Sequence, residues 1–227
     1  FIPLIKVDTD PENMLNPDEP VRLFHNQTKQ RFNLSDIVVV GIVNNKNPNG
    51  VFNKSSLTRI YELTEFAKTL QWPDKNDPNK QIGVIEVDLL APSTVDYIGQ
   101  GGPGVVKFEW LMDTPPATDT EALAIGDRAM SNPLLKGTVI SEDGKAVCLY
   151  LPLTSKDLSH EIYVKLREKI ASFTGDEEYH ITGLPVAEDT FGYEMFVQMA
   201  VSAPLAMLVI FILMLLFFRK LVLVISP

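Results

Sequence analysis

The first half of the chain alternates between apolar patterns of helical and of strand type. A short helix is expected over residues 21–32, and a strand over 37–43, because an unbroken β-branched run is typical of a strand covered on both faces. Apolar residues recur at helical spacing over 54–70, which predicts an amphipathic helix. Residues 82–89 alternate apolar and polar positions, so a second strand is expected there.

The middle of the chain carries a weaker pattern. We expect residues 91–116 to hold a loop and short helical pieces, with a hinge or turn at the glycine-rich residues 99–104. Thr118 and Glu121 have the spacing of a capping box, in which two side chains satisfy backbone N–H groups at the start of a helix. A helix is therefore expected from this point to about Met130.

A β-hairpin is the clearest local prediction. Asp143-Gly144 lies between two β-rich runs, residues 137–140 and 145–153, and this dipeptide favours the tight turns that join antiparallel strands. A further amphipathic helix is expected over 157–173, with Gly175 suited to its C-cap.

The order of these elements predicts the fold class. A last short strand is expected over residues 179–182. The full order is strand, helix, strand, then helix, hairpin, helix, strand. Such an order is typical of an α/β (α+β) fold, here with ferredoxin-like split βαβ subdomains followed by a transmembrane helix.

The predicted transmembrane helix runs from Phe196 to Phe218 and contains no charged residue. At 1.5 Å per residue it would be about 34 Å long, enough to cross a bilayer core of about 30 Å. Pro204 lies near its start, where a kink is tolerated. Gln198 and Ser202 share one helix face. They could line a cavity, but we favour hydrogen bonding to a neighbouring helix.

Charge is distributed very unevenly about this helix. Residues 1–195 hold 18 basic and 29 acidic side chains, a net charge of −11, whereas Arg219 and Lys220 follow the span directly. Positive residues beside a span favour the cytoplasmic side. We therefore expect an inner (cytoplasmic) membrane location with residues 1–195 extracytoplasmic, or periplasmic in a Gram-negative cell. The acidic balance also argues against nucleic-acid binding.

Both ends of the sequence resemble interrupted membrane spans. We accordingly expect a piece of a longer polytopic protein with four parts. Residues 1–35 would be an acidic segment after a truncated span, and 36–190 the extracytoplasmic domain. Residues 191–220 would be the transmembrane helix with its basic cytoplasmic end, and 221–227 the start of a further truncated span.

No catalytic, cofactor or metal site is expected. His25, His160 and His180 are far apart and none has a second ligand at a known metal-binding spacing. The glycine-rich residues 99–104 contain a proline and lack the following helix of a phosphate-binding loop. Cys148, the sole cysteine, has no base near it in sequence. These observations favour a protein that is not an enzyme.

Three stretches of the sequence resemble a known family. They are VDTDPE at residues 7–12 leading to DIVVV at 36–40, LKGTVISEDGKA at 135–146, and ITGLP at 181–185. Their order and spacing resemble the first part of a resistance-nodulation-division (RND) transporter, more specifically of the MMPL and hopanoid-exporter-like branch. The resemblance covers essentially the whole chain, and the acidic first stretch favours the N-terminal of the family's two halves.

The resemblance implies a porter-type domain followed by the second transmembrane helix of a proton-driven exporter of hydrophobic or lipid-like molecules. Its expected partners are the lipid bilayer, the remainder of the same polytopic chain, other copies of the protein and periplasmic accessory proteins. The family's proton relay lies on a later span, so it assigns no relay residue to this sequence. It assigns no substrate-binding residue either.

Two alternative functions stay open at this point. The chain could be a membrane-anchored extracytoplasmic binding or sensor module. It could also be a non-transporting RND relative. A transporter should have about twelve spans in two related halves, whereas a sensor should continue into a cytoplasmic signalling domain.

Overall fold

A three-stranded antiparallel sheet organises the fold. In the computed structural model, which describes residues 11–74 and 77–218, the sheet is built from β1 (Asp36–Val43), β6 (Ala146–Leu153) and β7 (Glu178–Thr182). The strand order is β6-β1-β7, so the β-branched run is the central strand. Val40 is paired with Leu149 on one side and Ile181 on the other. The strands expected at 37–43 and 179–182 are confirmed.

Two amphipathic helices cover one face of this sheet. They are α2 (Lys54–Lys68) and α4 (Ser159–Ala171), which agree with the helices expected over 54–70 and 157–173. Their apolar residues join the sheet's inward side chains in a single buried core, with fully buried members on both helices: Leu57, Ile60, Leu63, Ile162 and Leu166. The helical periodicity therefore correctly identified the buried faces of both helices.

The strand expected over residues 82–89 is wrong except at its first residues. A short β3 (Gln81–Gly83) pairs with β2 (Gln71–Pro73), and a 3-10 turn follows at Glu86–Asp88. The following segment contacts the edge of β6 that faces away from β1 through single residues only. Ile85 N donates to Pro152 O at 2.8 Å, and Leu90 N donates to Tyr150 O at 3.0 Å. A ferredoxin-like sheet would have its fourth strand at this edge, and here it is reduced to isolated bridges.

The expectation of a loop with helical pieces over residues 91–116 is wrong, because residues 96–110 form a β-hairpin. Strands β4 (Asp96–Gly102) and β5 (Val105–Trp110) pair with each other, and the turn falls within the glycine-rich segment. Helix α3 (Asp119–Ser131) follows, with the expected cap: Thr118 Oγ1 accepts from Glu121 N at 3.2 Å. The Glu121 carboxylate accepts from Ala117 N at 2.7 Å, one residue earlier than a standard capping box requires.

The hairpin expected over 137–153 is confirmed only at its turn and second arm. Gly144 N donates to Ser141 O at 3.0 Å, and β6 follows. The first arm is not a strand, because the backbone N–H groups of Val139 and Ile140 both donate to Leu135 O in a tight turn. Strand β6 pairs with β1 along its whole length. The preceding segment contacts β6 only at its end, where Cys148 N donates to Val139 O at 2.8 Å and Ser141 N donates to Ala146 O at 3.0 Å.

Two further expectations differ from the structure. Gly175 does not cap α4, which ends at Ala171 with Ser172 still in right-handed helical conformation. Strand β1 is not fully covered on both faces, since its residues alternate between buried and partly exposed. A continuous β-branched run cannot distinguish these two cases, because both faces have the same composition.

The helices at the two ends of the described chain complete the element list. Helix α1 (Pro20–Phe32) agrees with the helix expected at 21–32 and has no buried residue. Helix α5 (Leu184–Phe218) is 35 residues long and includes the predicted span. Residues 15–187 form one compact unit, and a second unit contains residues 11–14 and 188–218.

Candidate functional site

The two faces of the three-stranded sheet differ in burial within the described chain. Val38, Val40 and Ile42 of β1 point into the helical layer and are fully buried. Val39, Gly41 and Val43 alternate with them and therefore project from the opposite side, where they are only half-buried. We name this second side the open face.

Cross-strand pairing places the residues of the open face in three rows. Directly opposed residues of an antiparallel pair project to the same side. The rows are Tyr150–Val39–Thr182, Cys148–Gly41–His180 and Ala146–Val43–Glu178. The members from β1 and β6 are half-buried, and those from β7 are exposed. The open face thus passes from an apolar centre to a polar margin.

The centre of the open face is electrically neutral. Burial raises the pKa of the Cys148 thiol, and burial followed by the neighbouring Cys148 raises the pKa of the Tyr150 phenol. Both groups are therefore uncharged near pH 7. The Tyr150 hydroxyl donates to Thr138 O at 3.0 Å, which satisfies its polar end. An uncharged, largely apolar surface within a strongly acidic region is suited to contact with apolar molecules.

A buried ion pair holds the margin of the sheet in place. The Glu177 side chain is 2% exposed, and Arg59 Nη1 donates to both its carboxylate oxygens at 2.7 Å. Ser56 Oγ donates to the same carboxylate at 2.5 Å, and Arg59 Nη2 donates to Thr174 O. Because Arg59 and Ser56 lie on α2, these bonds join that helix to the residues directly before β7.

No pattern in the sequence indicates this ion pair, since Arg59 and Glu177 are 118 residues apart. Its effect extends to Tyr179 on β7. Burial, with a smaller contribution from the Glu177 charge, raises the pKa of Tyr179 to about 12. Gly175 lies beside the pair, and a Cβ there would come within 2.4 Å of Arg59 Nη1. A side chain at residue 175 would therefore displace the charged groups of the pair, and the role of Gly175 is not that of a helix cap.

Helix α5 carries the residues assigned to the membrane span. Phe196, Gln198 and Ser202 are exposed, and Pro204 is accommodated inside the helix. Phe218 is its last residue. Its most apolar 18-residue window has a mean hydropathy of 2.7 and none of it is buried. The helix is thus long and apolar enough to cross a membrane and is not a core helix of the described structure. Arg219 and Lys220 lie outside the described residues.

The remaining candidates stay separate in space. His25 is exposed on α1, His160 is exposed near the start of α4, and His180 lies on the open face. Within residues 11–74 and 77–218, no group of three or more His, Cys, Asp or Glu side chains is arranged to hold a metal ion. Cys148 has no acidic or basic side chain opposite it on β1, where its partner is Gly41.

The fold and the apolar helix together define a membrane-associated α/β protein. A comparison with protein families agrees with this class, because the MMPL family matches residues 93–227, more than half of the chain. The chain belongs to the MMPL family of the RND superfamily. A search of curated proteins finds no match.

Proposed function

We propose that residues 15–187 act as an extracytoplasmic porter-type domain of a proton-driven RND exporter, and that α5 anchors this domain in the inner membrane. The cargo would be hydrophobic or lipid-like, and it would contact the open face. In this proposal the domain binds and passes on its cargo without covalent chemistry. The bilayer, the remainder of the polytopic chain, further copies and periplasmic accessory proteins are the proposed partners.

The single observation that supports this proposal is the neutral apolar centre of the open face. The surrounding region, residues 1–195, has a net charge of −11. The central residues of the three rows, Val39, Gly41 and Val43, carry no charge. A domain that only positioned a membrane helix would not require such a surface.

The test replaces valines of the open face by threonine in the full-length protein. Threonine has the shape and β-propensity of valine but adds a hydroxyl. We expect Val39→Thr/Val43→Thr to reduce the export of the hydrophobic dye Nile red from cells by roughly fourfold to fifteenfold, as one or both of two apolar contacts worth about 0.8 kcal/mol each are lost. The measurement is dye efflux after energisation, with protein amounts equalised by immunoblot.

The matched control is Val105→Thr/Val106→Thr. These valines also lie on a strand and are more than half exposed, but they belong to the separate hairpin of β4 and β5. Export should be unchanged in this variant. Equal export by both double variants would contradict a role for the open face. Binding of the dye without any export would favour a sensor or a non-transporting relative instead.

A further inference from the structure

The outer edge of β7 has no backbone partner in the described chain. Strand β7 ends the sheet, and its inner edge pairs with β1. About half of the backbone N–H and C=O groups of such a strand point away from the sheet. Within residues 11–74 and 77–218, no backbone hydrogen bond or isolated bridge reaches them. A further strand can therefore add at this edge without breaking a described backbone hydrogen bond.

A cavity of about 460 Å³ follows this edge. It is lined by residues of α4 between Tyr163 and Ala171 and by three consecutive residues of β7, namely Tyr179, His180 and Ile181. Tyr179 and Ile181 pair with residues of β1 that point into the helical layer, whereas His180 belongs to the open face. A cavity that touches both kinds of residue must pass around the outer edge of the strand, because β1 occupies the inner edge. We name this cavity the edge groove.

Arg167 gives the edge groove a positive charge that the described chain does not neutralise. The two lysines of α4 both have carboxylate partners: Lys165 lies 3.1 Å from Glu168, and Lys169 lies 3.9 Å from Glu62. Arg167 lines the groove and has no carboxylate partner among the described residues. A ligand of the groove would therefore gain from carrying a negative charge.

The guanidinium group of Arg167 is oriented by its neighbour one helical turn earlier. Arg167 Nη1 donates to the Tyr163 hydroxyl at 3.3 Å, and the guanidinium carbon lies 5.7 Å from the centre of the Tyr163 ring. This bond uses one of the five N–H groups of the guanidinium. An arginine presented in this way favours a carboxylate, which it can contact through two parallel hydrogen bonds.

We propose that the edge groove binds an extended segment of a separate partner protein, which adds to the sheet as a strand beside β7 and places a carboxylate side chain against Arg167. Alternate side chains of an added strand point to the same side. The residues two positions before and after this carboxylate would thus contact the apolar walls at Ile170 and Ile181. This partner is distinct from the apolar cargo of the open face. A second copy fits less well, because two regions with a net charge of −11 repel one another.

Peptide binding to the full-length protein in detergent micelles is the test. The probe is dansyl-Thr-Val-Thr-Glu-Thr-Val-Thr-amide, and a second peptide has glutamine in place of glutamate. Fluorescence anisotropy measures both. We expect saturable binding of the glutamate peptide with a Kd below about 1 mM. The glutamine peptide should bind about twofold to fivefold more weakly, the effect of one exposed ion pair. Absence of saturable binding by either peptide would overturn the proposal.

Arg167→Gln and Lys165→Gln form a matched pair, since each removes one positive charge from α4 and only Arg167 lines the edge groove. Arg167→Gln should bind the two peptides equally, whereas Lys165→Gln should keep the preference for glutamate. A preference that persists in Arg167→Gln, or that is lost in both variants, would contradict the carboxylate contact.

Backbone N-methylation of the glutamate peptide tests strand addition. One derivative is methylated at both valines and the glutamate, and the other at the two threonines between them. These two sets of N–H groups point to opposite edges of an extended peptide, so only one set faces β7. One derivative should lose about tenfold in affinity, as two or three hydrogen bonds are blocked, and the other should stay within about threefold. Equal affinities would show that the peptide does not add as a strand.

A groove-filling variant separates the proposed partner from a second copy. Ala171 is exposed and lines the edge groove, so Ala171→Phe fills the groove without altering the core. We expect it to weaken the binding of both peptides about tenfold. If neither peptide binds the original protein, and Ala171→Phe instead lowers the oligomeric state measured by mass photometry, a second copy occupies the groove and the proposal is wrong.

Discussion

At the scale of single residues, two tyrosines on the outer strands of the sheet, β6 and β7, differ in how their hydroxyl groups are satisfied. Tyr150 donates to Thr138 O at 3.0 Å. The Tyr179 hydroxyl is buried and has no hydrogen-bond partner among the described residues. A buried hydroxyl without a partner costs desolvation energy that no bond returns. The two residues therefore respond differently to the same substitution.

We predict that Tyr179→Phe does not lower the free energy of unfolding near pH 7, whereas Tyr150→Phe lowers it by about 0.5–1.5 kcal/mol, the net value of one hydrogen bond. Urea unfolding of residues 1–195 measures both. The globular composition of this region predicts that it folds alone, and circular dichroism checks this first. A Tyr179→Phe variant that loses more stability than Tyr150→Phe would show that the Tyr179 hydroxyl is paired.

The same substitution has a pH signature. The pKa of Tyr179 is raised to about 12 in the folded state, above the ordinary value of 10. The tyrosine of the unfolded state therefore loses its proton at a lower pH than the folded one. The free energy of unfolding keeps its full value below pH 10 and falls as the pH rises toward 12. The stability of the original protein should fall more steeply over this window than that of Tyr179→Phe. Parallel curves would contradict the raised pKa.

At the scale of elements, two helix caps differ in burial. Asn53 is buried and caps α2, since its side chain accepts from Ser56 N at 2.9 Å and donates to Gly50 O at 2.9 Å. Thr118 caps α3 through one bond of 3.2 Å at an exposed position. Removing a buried cap leaves backbone groups unsatisfied, whereas water replaces an exposed one.

We predict that Asn53→Ala lowers the free energy of unfolding by about 2 kcal/mol and Thr118→Ala by about 0.5–1 kcal/mol. Both are exchanges of a capping side chain for alanine, so each is the control for the other. Urea unfolding of residues 1–195 gives the two values. Equal losses, or a larger loss for Thr118→Ala, would mean that burial does not determine the strength of these caps.

Elements with a repeated apolar period could be predicted from the sequence, and irregular ones could not. The apolar periodicity of α2 and α4 predicted both helices correctly, because each helix buries one continuous stripe of side chains. The expected strand at 82–89 failed because Val87 is 89% exposed while Val84 and Leu89 are buried, so the local alternation did not correspond to a sheet face. Long-range pairing decided the outcome for β6, which pairs with β1 along its whole length and contacts its preceding segment only near Ile140.

The candidate site was even less accessible to sequence reasoning. Strand β1 was predicted correctly. Because β-branched residues occur on both of its faces, its composition did not show that Val39 and Val43 lie on the open face. Gly41 was the available signal, because a glycine inside a strand often marks a close approach of a ligand or backbone. The alternation of Cys148 and Tyr150 with buried leucines on β6 was a second signal. The partnership of these two strands could not be known beforehand.

At the scale of the whole molecule, the charge asymmetry and the apolar helix have a common explanation. The acidic region with a net charge of −11, residues 1–195, precedes the apolar part of α5, residues 196–218, and the basic pair Arg219-Lys220 follows it. The positive-inside rule supports the proposal that the open face lies outside the cytoplasm. Membership of the MMPL family is consistent with a membrane protein. We propose that this domain transfers apolar cargo at the expense of a proton gradient.

Lipid transfer between liposomes tests that claim most directly. The full-length protein is reconstituted in donor liposomes with a fluorescent lipid, and its appearance in unlabelled acceptor liposomes is recorded. Protease protection establishes which side carries residues 15–187. We predict several-fold faster transfer when that side is the more acidic, with the increase abolished by a protonophore. Transfer that is equal with and without the gradient, or faster with the gradient reversed, would contradict the account.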